Sequence, residues 1–391
     1  MAEIMINGYR RKNGFGVRNY VLIISTVQCV NTAAAQIAAA TGAIPITHDF
    51  GCEEGAEGKK YTFQSLLETA KHPNVYGGVI IGLGCEQCKG YEMVEQLKDT
   101  GKPFTYLEVQ QEGGPAPTVA HGKEIAAQLV KEAAAQPREK FPISELIVAV
   151  QCGGSDWTTA LTGNVAVGTA AEHLTAAGAS VIISEVGGLP GSEHLLARQA
   201  VTKEVGLKII DMTDARRDYF FKKNGKTLTE ANPTPGNKDG GITTLVEKST
   251  GNIKKIGKCP IKGVLGLYEK PVEKGAAYCL DHRCPGVDSS NTTAFALSGA
   301  QVELFSTGRG TPLGSALMPL IKLTGNPESY RQLPSMLDFN AGVVIEGESM
   351  EKVGKELYEL VIEVANGKQT KNEEIGNHEY FMLHPAINKM R

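Results

Sequence analysis

A chain of 391 residues is long enough for two domains, each with its own buried core. Its 41% hydrophobic and 21% charged residues are those of an ordinary globular protein. A formal net charge of -3 and a pI near 6.3 leave no electrostatic case for nucleic acid or an anionic membrane as partner. The opening stretch MAEIMINGYRRKNG lacks the apolar centre of a signal peptide, and no uninterrupted apolar run is long enough to span a bilayer. The expected compartment is the cytoplasm, where eight cysteines suggest metal binding or catalysis rather than disulfides.

Strand-like and helix-like runs alternate along the chain. YVLIISTV (20–27) precedes the alanine-rich NTAAAQIAAAT, and GAIPITHD, TFQSLLETAK, GGVIIGLG, GYEMVEQLKDTG and FTYLEV continue the alternation. This pattern predicts a Rossmann-like α/β layer over residues 1–143. AHGKEIAAQLVKEAAAQPREKFP reads as a helix with a proline-bounded link. A second α/β domain, 144–391, opens with the strand ELIVAVQC. TALTGNVAVGTAAEHLTAAG and SEHLLARQAVTKEV read as helices, and ASVIISEV as a strand. KGAAYCLD, GAQVELFSTGRG and AGVVIEG form a last strand series. Continuous aliphatic runs of this kind predict mostly parallel sheets, buried on both faces. The chain shows no internal repeat, low-complexity tract or heptad pattern.

Three strand-like runs end on a thiol: IPITHDFGCEEG at Cys52, GGVIIGLGCEQC at Cys85 and LIVAVQCGGSD at Cys152. Parallel sheets bind ligands at the carboxyl ends of their strands. Core filling does not require a cysteine placed there repeatedly beside glycine or glutamate, so Cys52, Cys85 and Cys152 are the candidate metal ligands. Three thiolates with one open position is an arrangement in which iron can hold a substrate oxygen. Cys29, Cys259 and Cys279, each without such a setting, read as core residues. Cys88 completes a C-x-x-C with Cys85, a weak signal without a second pair of matching spacing.

Polar clusters gather at other run ends. His48 and Asp49 lie just before Cys52. SEVGGLPGSEH places Glu185 at a strand end and Glu193 with His194 at a helix start, where Glu193 also suits the helix dipole. The irregular stretch 224–244 is too specific in composition for a linker, and long irregular segments inside compact domains are often functional. Within it, Asn237, Lys238 and a Gly-Gly turn precede Thr243 and Thr244, a combination suited to gripping a carboxylate. In FSTGRGTPLGSALMPLIKLTGN, Arg309 stands between glycines on a turn.

The motifs GYRRKNGFGVRNY, GCEEG, GLGCE, QCGGSD, NPTPGNKDGGITTLVEKS and FSTGRGTPLGSALMPLIKLTGN, in this order, resemble the large module of the altronate/galactarate dehydratase family across nearly the whole chain. That family consists of iron-dependent hydro-lyases that turn sugar acids into 2-keto-3-deoxy acids. The resemblance therefore implies a sugar-acid substrate, altronate first and galactarate-type second, and iron as cofactor, as a [4Fe-4S] cluster or Fe2+. It carries over Cys52, Cys85 and Cys152 to the metal, and Gly236, Asn237, Lys238 and Arg309 to substrate binding. Dehydration also needs a base to take the poorly acidic C2 proton. His48 is the first candidate and Glu86 the second.

Two features depart from the family pattern. LDHRCPG (280–286) replaces a shorter MDTPG-type segment and adds His282 and Cys284 as potential ligands. Longer members also begin with a small extra domain, so a separate small subunit is the expected partner, within a hetero- or homo-oligomer. Two other readings stand beside the hydro-lyase. One is a sulfo-lyase of the same family, releasing pyruvate and sulfite from 3-sulfolactate, against which Cys52 and Cys85 argue. The other is a non-catalytic metal- or nucleotide-binding module, against which STVQCVNTAAA, rather than G-x-G-x-x-G, follows the first strand.

Overall fold

The computed structural model describes residues 3–12, 14–282 and 287–384. The chain forms two compact units. The smaller holds Asn7–Phe141, Ser315–Met318 and the segment from Asn377 onward; the larger holds Met1–Ile6, Pro142–Gly314 and Pro319–Gly376. The fold is α/β, and its two main sheets are parallel throughout.

Early in the chain, β1 (Met5–Arg11) pairs antiparallel with β2 (Gly14–Gly16). The main sheet of the smaller unit is built from β3 (Tyr20–Ser25), β4 (Ile44–Ile46), β5 (Val75–Gly82) and β6 (Phe104–Glu108), in the order β4-β3-β5-β6. Its aliphatic runs are buried because helices cover the faces. Val21, Ile23, Val79 and Ile81 pack with Ala34 and Ile37 of helix Asn31–Thr41, and with Ala126 and Leu129 of helix Pro115–Ala135. The latter helix starts on Pro115, where the missing N–H costs no helical bond. A short strand β7 (Glu139–Pro142) joins β1 and β2 in a sheet of order β2-β1-β7.

The larger unit carries a seven-stranded sheet of β8 (Ile147–Cys152), β9 (Ser180–Ile183), β10 (Ile261–Gly266), β11 (Ala277–Asp281), β12 (Val302–Thr307), β13 (Leu320–Thr324) and β14 (Phe339–Asn340). Their order is β10-β11-β9-β8-β12-β13-β14. The chain thus leaves β8 to one side through β9 and later returns to its other side through β12. The crevice where the order reverses lies between β8 and β12, the place where open parallel sheets bind ligands.

Three sequence expectations need correction. AGVVIEG is not a strand: Ala341–Val344 is a 3-10 turn, because the Asn340 side chain accepts the Gly342 N–H at 2.9 Å and caps a turn. SEHLLARQAVTKEV is not one helix. It breaks after Ala197, where Val201 donates to the Ile261 carbonyl and Ile261 donates to the Gln199 carbonyl, so the backbone pairs with the sheet edge. Thr202 then caps a new helix, Lys203–Asn224, that the sequence reading did not extend. Cys29 is exposed rather than core, whereas Cys259 and Cys279 are buried as expected. Among the described residues, no helix is long and apolar enough to cross a membrane.

Candidate active site

In the larger unit, a cavity of 760 Å³ opens at the carboxyl ends of β8, β9 and β12. The loops leaving β8 and β12 are tied together across the crevice. Gly153 donates to the Ser306 carbonyl at 3.1 Å, and Gly308 and Arg309 both donate to the Gly154 carbonyl, at 3.2 and 3.0 Å. Glycine is required at two close approaches. A Cβ on Gly153 would lie 2.2 Å from the Asp288 carboxyl, and one on Gly308 would lie 2.1 Å from that of Asp156. Asp156 pins the loop from beneath by accepting from Thr158 Oγ1 at 2.6 Å and from Thr159 N at 2.9 Å.

Cys152 ends β8 at the cavity floor. Its thiol contacts Lys255 Nζ at 3.3 Å and Asn164 Nδ2 at 3.6 Å. Burial pushes this thiol up, but Lys255, Ser155, Asn164 and Lys248 together outweigh it and lower its pKa on balance. Glu185 follows β9 and adopts a left-handed conformation at φ 64, which is uncommon for a residue with a side chain. That conformation brings its carboxylate to the end of β8, where Oε2 accepts from Cys152 N at 3.1 Å and pairs with Lys255. Lys255 is completely buried, and burial lowers its pKa against the opposing pull of Cys152. The side chains of Cys152, Lys255 and Glu185 thus form one compact polar cluster, with Cys152 and Glu185 lining the cavity.

The walls supply opposite charge for an acid substrate. Lys248 is held by Asn232 Oδ1 and Asn237 Oδ1, both at 3.0 Å, and burial lowers its pKa. Asn237 is fixed in turn by donating to the Ser155 carbonyl at 2.9 Å. Arg309 donates to the Gly236 carbonyl at 2.8 Å. Lys248, Asn237, Gly236, Arg309 and Arg216 line the cavity, as does Asp288, whose carboxyl burial pushes up against the pull of Lys248 and Lys255. Of the expected grip, Asn237 and Arg309 reach the cavity, whereas Lys238 is exposed and does not line it. Thr243 and Thr244 are already satisfied: both backbone N–H groups donate to Glu247, at 2.8 and 3.0 Å. Glu193 likewise serves its own helix start, binding Gly191 N and Arg217.

Cys52, Cys85, His48 and Glu86 belong to the smaller unit. Its sheet order also reverses, between β3 and β5, and the loops after β3, β4 and β5 converge there. Gln87 N donates to the Gly51 carbonyl at 3.1 Å, which joins the two cysteine loops; Cys52 and Cys85 are both exposed. His48 has both ring nitrogens engaged. Nδ1 accepts from Phe50 N at 3.1 Å, and Nε2 lies 2.8 Å from the Ser25 carbonyl. The first contact consumes the ring's lone pair, so His48 as placed fits a structural role better than that of a base. Glu86 is buried and accepts from Thr26 Oγ1 at 3.0 Å and Gly84 N at 2.6 Å, which fastens its loop. Cys88 is buried, with its thiol pushed up to about 12 by burial and by Glu54, Glu86 and Glu92.

Among the described residues, no group of three or more His, Cys, Asp or Glu is arranged to hold a metal ion. Cys152 has an ammonium as its near neighbour, so the described residues of the larger unit do not by themselves fit an iron site. Arg283 and Cys284 lie outside the described residues, while His282 is buried against Asn291 Oδ1 at 2.7 Å. The sequence reading missed Lys248, Lys255 and Asp288. Lys248 was within reach, since it lies in the quoted motif NPTPGNKDGGITTLVEKS.

Comparison with known proteins identifies the family. A family model described as D-galactarate/Altronate dehydratase, C-terminal, matches residues 143–387. Another, D-galactarate dehydratase/Altronate hydrolase, second domain, matches residues 8–134. Altronate dehydratase of Bacillus subtilis (strain 168) is 36% identical over 384 residues, covering 94% of this chain and 75% of its own. (2R)-sulfolactate sulfo-lyase subunit beta of Chromohalobacter salexigens is 32% identical and covers 96% of both chains. Galactarate dehydratase (L-threo-forming) of Escherichia coli (strain K12) is 35% identical over 81% of this chain and 61% of its own. The two models together account for both units around their parallel sheets, and the chain belongs to the D-galactarate/altronate dehydratase family.

Proposed function

We propose that this chain is a hydro-lyase that removes water from a sugar acid to give a 2-keto-3-deoxy acid in the cavity of the larger unit. One observation carries the reading: two carboxyl groups in different environments, Glu185 and Asp288, face one space walled by Lys248 and Arg309. Pairs of acids whose surroundings differ are what general acid–base chemistry uses. Glu185, paired with Lys255, is assigned the C2 proton. Asp288, which burial keeps closer to its protonated form, delivers a proton to the departing C3 hydroxyl. Loss of the C2 proton and the C3 hydroxyl leaves an enol, which becomes the keto acid by tautomerising. Arg309, Lys248 and Asn237 hold the carboxylate and its neighbouring hydroxyl.

Removal of Lys248 should therefore lower kcat/KM by about 1.5–3 kcal/mol, the range for losing a hydrogen bond to a charged group. Lys238→Ala serves as the control and should leave kinetics near wild type. Steady-state kinetics of both variants decide between the two lysines: equal effects would return Lys238 to the site.

Iron is a separate element of the proposal, supported by the family resemblance, which names Cys52 and Cys85 of the smaller unit among its ligands. Anaerobically prepared protein should carry iron, and Cys52→Ser or Cys85→Ser should lower its content; full activity after thorough iron removal would rule this element out. A companion subunit is supported by the name of the sulfo-lyase relative, a subunit beta matched over 96% of both chains. The same match favours a second reading, with sulfite rather than hydroxide as leaving group. Incubating the purified chain, with and without proteins that co-purify from native extract, with altronate, galactarate and 3-sulfolactate separates these outcomes. Keto acid without sulfite is expected; sulfite alone identifies a sulfo-lyase, and neither product under any condition overturns the enzyme.

A further inference from the structure

Behind the cavity floor lies a buried polar group that the reaction does not use. Glu303 on β12 and Gln151 on β8 are both completely buried. Ala149 pairs with Glu303 and Gln151 with Phe305, so the two side chains share one sheet face, two positions apart on neighbouring strands. Thr292, on helix Asp288–Leu297, lies between them. Its hydroxyl accepts from Gln151 Nε2 at 3.0 Å and donates to Glu303 Oε1 at 3.2 Å. Gln151 Nε2 also donates to the Asp288 backbone carbonyl at 3.2 Å. A carbonyl can only accept, so this contact fixes the orientation of the amide. Among the described residues, Gln151 Oε1 and Glu303 Oε2 are then two buried acceptors without a donor.

Two buried acceptors on one sheet face, whose side chains are both tied to Thr292, are costly unless a donor is supplied to them. We propose that Glu303 is a neutral carboxylic acid whose Oε2–H donates to Gln151 Oε1, and that this hydrogen bond positions Asp288 and Cys152 around the cavity. The inference rests on the proposed active site for its functional part only. Gln151 is adjacent to Cys152 and holds the first turn of the helix that presents Asp288, so one proton braces both sides of the crevice. The surroundings favour the neutral form. Burial, with Asp288 adding to it, pushes the carboxyl up to about 8 against the opposing effects of Thr292 and Lys255. Lys322 shares the same sheet face on β13 and donates to the Thr311 carbonyl at 2.6 Å. Glu303 acts as a positioning residue, since it does not line the cavity.

Infrared difference spectra of wild type against Glu303→Gln test the protonation directly and need no substrate. At neutral pH the wild type should show the carbonyl band of a protonated carboxyl that the variant lacks, and the band should disappear as the solution is made alkaline. A carboxylate band at neutral pH would mean that a bridging water or cation satisfies an ionised Glu303, and the proposal would fail. The functional part is read from pH–rate profiles. Glu303→Gln, a permanent neutral donor, should keep near-wild-type turnover and lose the alkaline decline that Glu303 ionisation causes. Glu303→Leu, which leaves Gln151 Oε1 without a donor, should lose about tenfold or more in turnover at neutral pH. An unchanged alkaline limb in Glu303→Gln, or equal losses in both variants, overturns the positioning role even if the band is present.

Discussion

Glu185→Gln is expected to lower kcat by about 10²- to 10⁴-fold, the range for removing a general base, with little change in secondary structure. The substitution keeps the side-chain volume, the acceptor oxygen toward Cys152 N and a polar partner for Lys255. It removes the basicity. Because Glu185 lines the same cavity as Cys152 and Lys248, its loss should appear in kcat more than in KM. Glu193→Gln is the matched control: a carboxylate in the same segment that is bound to Gly191 N and Arg217 and does not line the cavity. Measured with the substrate that wild type turns over, a kcat for Glu185→Gln within threefold of wild type would remove Glu185 as the base. In that case the proton would fall to another group facing the cavity, with Cys152 first in line because its surroundings hold it toward the thiolate.

The sequence disclosed strand ends better than it disclosed the site. IVAVQC is a continuous buried run, and a parallel strand must deliver its last residue to the sheet rim, so Cys152 was placed correctly from pattern alone. Arg309 could be read for a related reason, since glycines on both sides leave an arginine no packing role. Lys255 could not. It lies in IKKI, on a short 3-10 turn where one lysine is completely buried while its neighbour Lys254 is exposed, and periodicity does not distinguish the two. The choice between Lys238 and Lys248 fails similarly. Two capping boxes, Thr234 with Asn237 and Thr244 with Glu247, set the direction of the short helices and thereby decide which ammonium turns inward. His48 looked like a base because sequence shows a titratable ring at a strand end, but not that a backbone N–H already occupies its lone pair.

Lys255→Met should be the most destabilising single change in the site, at about 3–5 kcal/mol, because it leaves buried negative charge without its partner. Glu185 is only 11% exposed and Cys152 is buried, so neither can recover the lost interaction from water. The thiol should respond in a definite direction. Lys255 is the largest of the effects that lower the Cys152 pKa, so without it burial dominates and the pKa rises. The pH at which a small alkylating reagent begins to modify Cys152 should therefore move upward in the variant, and Cys152→Ser provides the blank for this assay. Should Lys255→Met fail to accumulate as folded protein, the double variant Glu185→Gln/Lys255→Met provides the second measurement. Neutralising both partners removes the unpaired carboxylate, so the double variant should be more stable than Lys255→Met alone. Chemical denaturation of the single and double variants closes the cycle. If the double change is as destabilising as the sum of the two single changes, the two groups are not coupled, and Lys255 owes its buried position to packing rather than to Glu185.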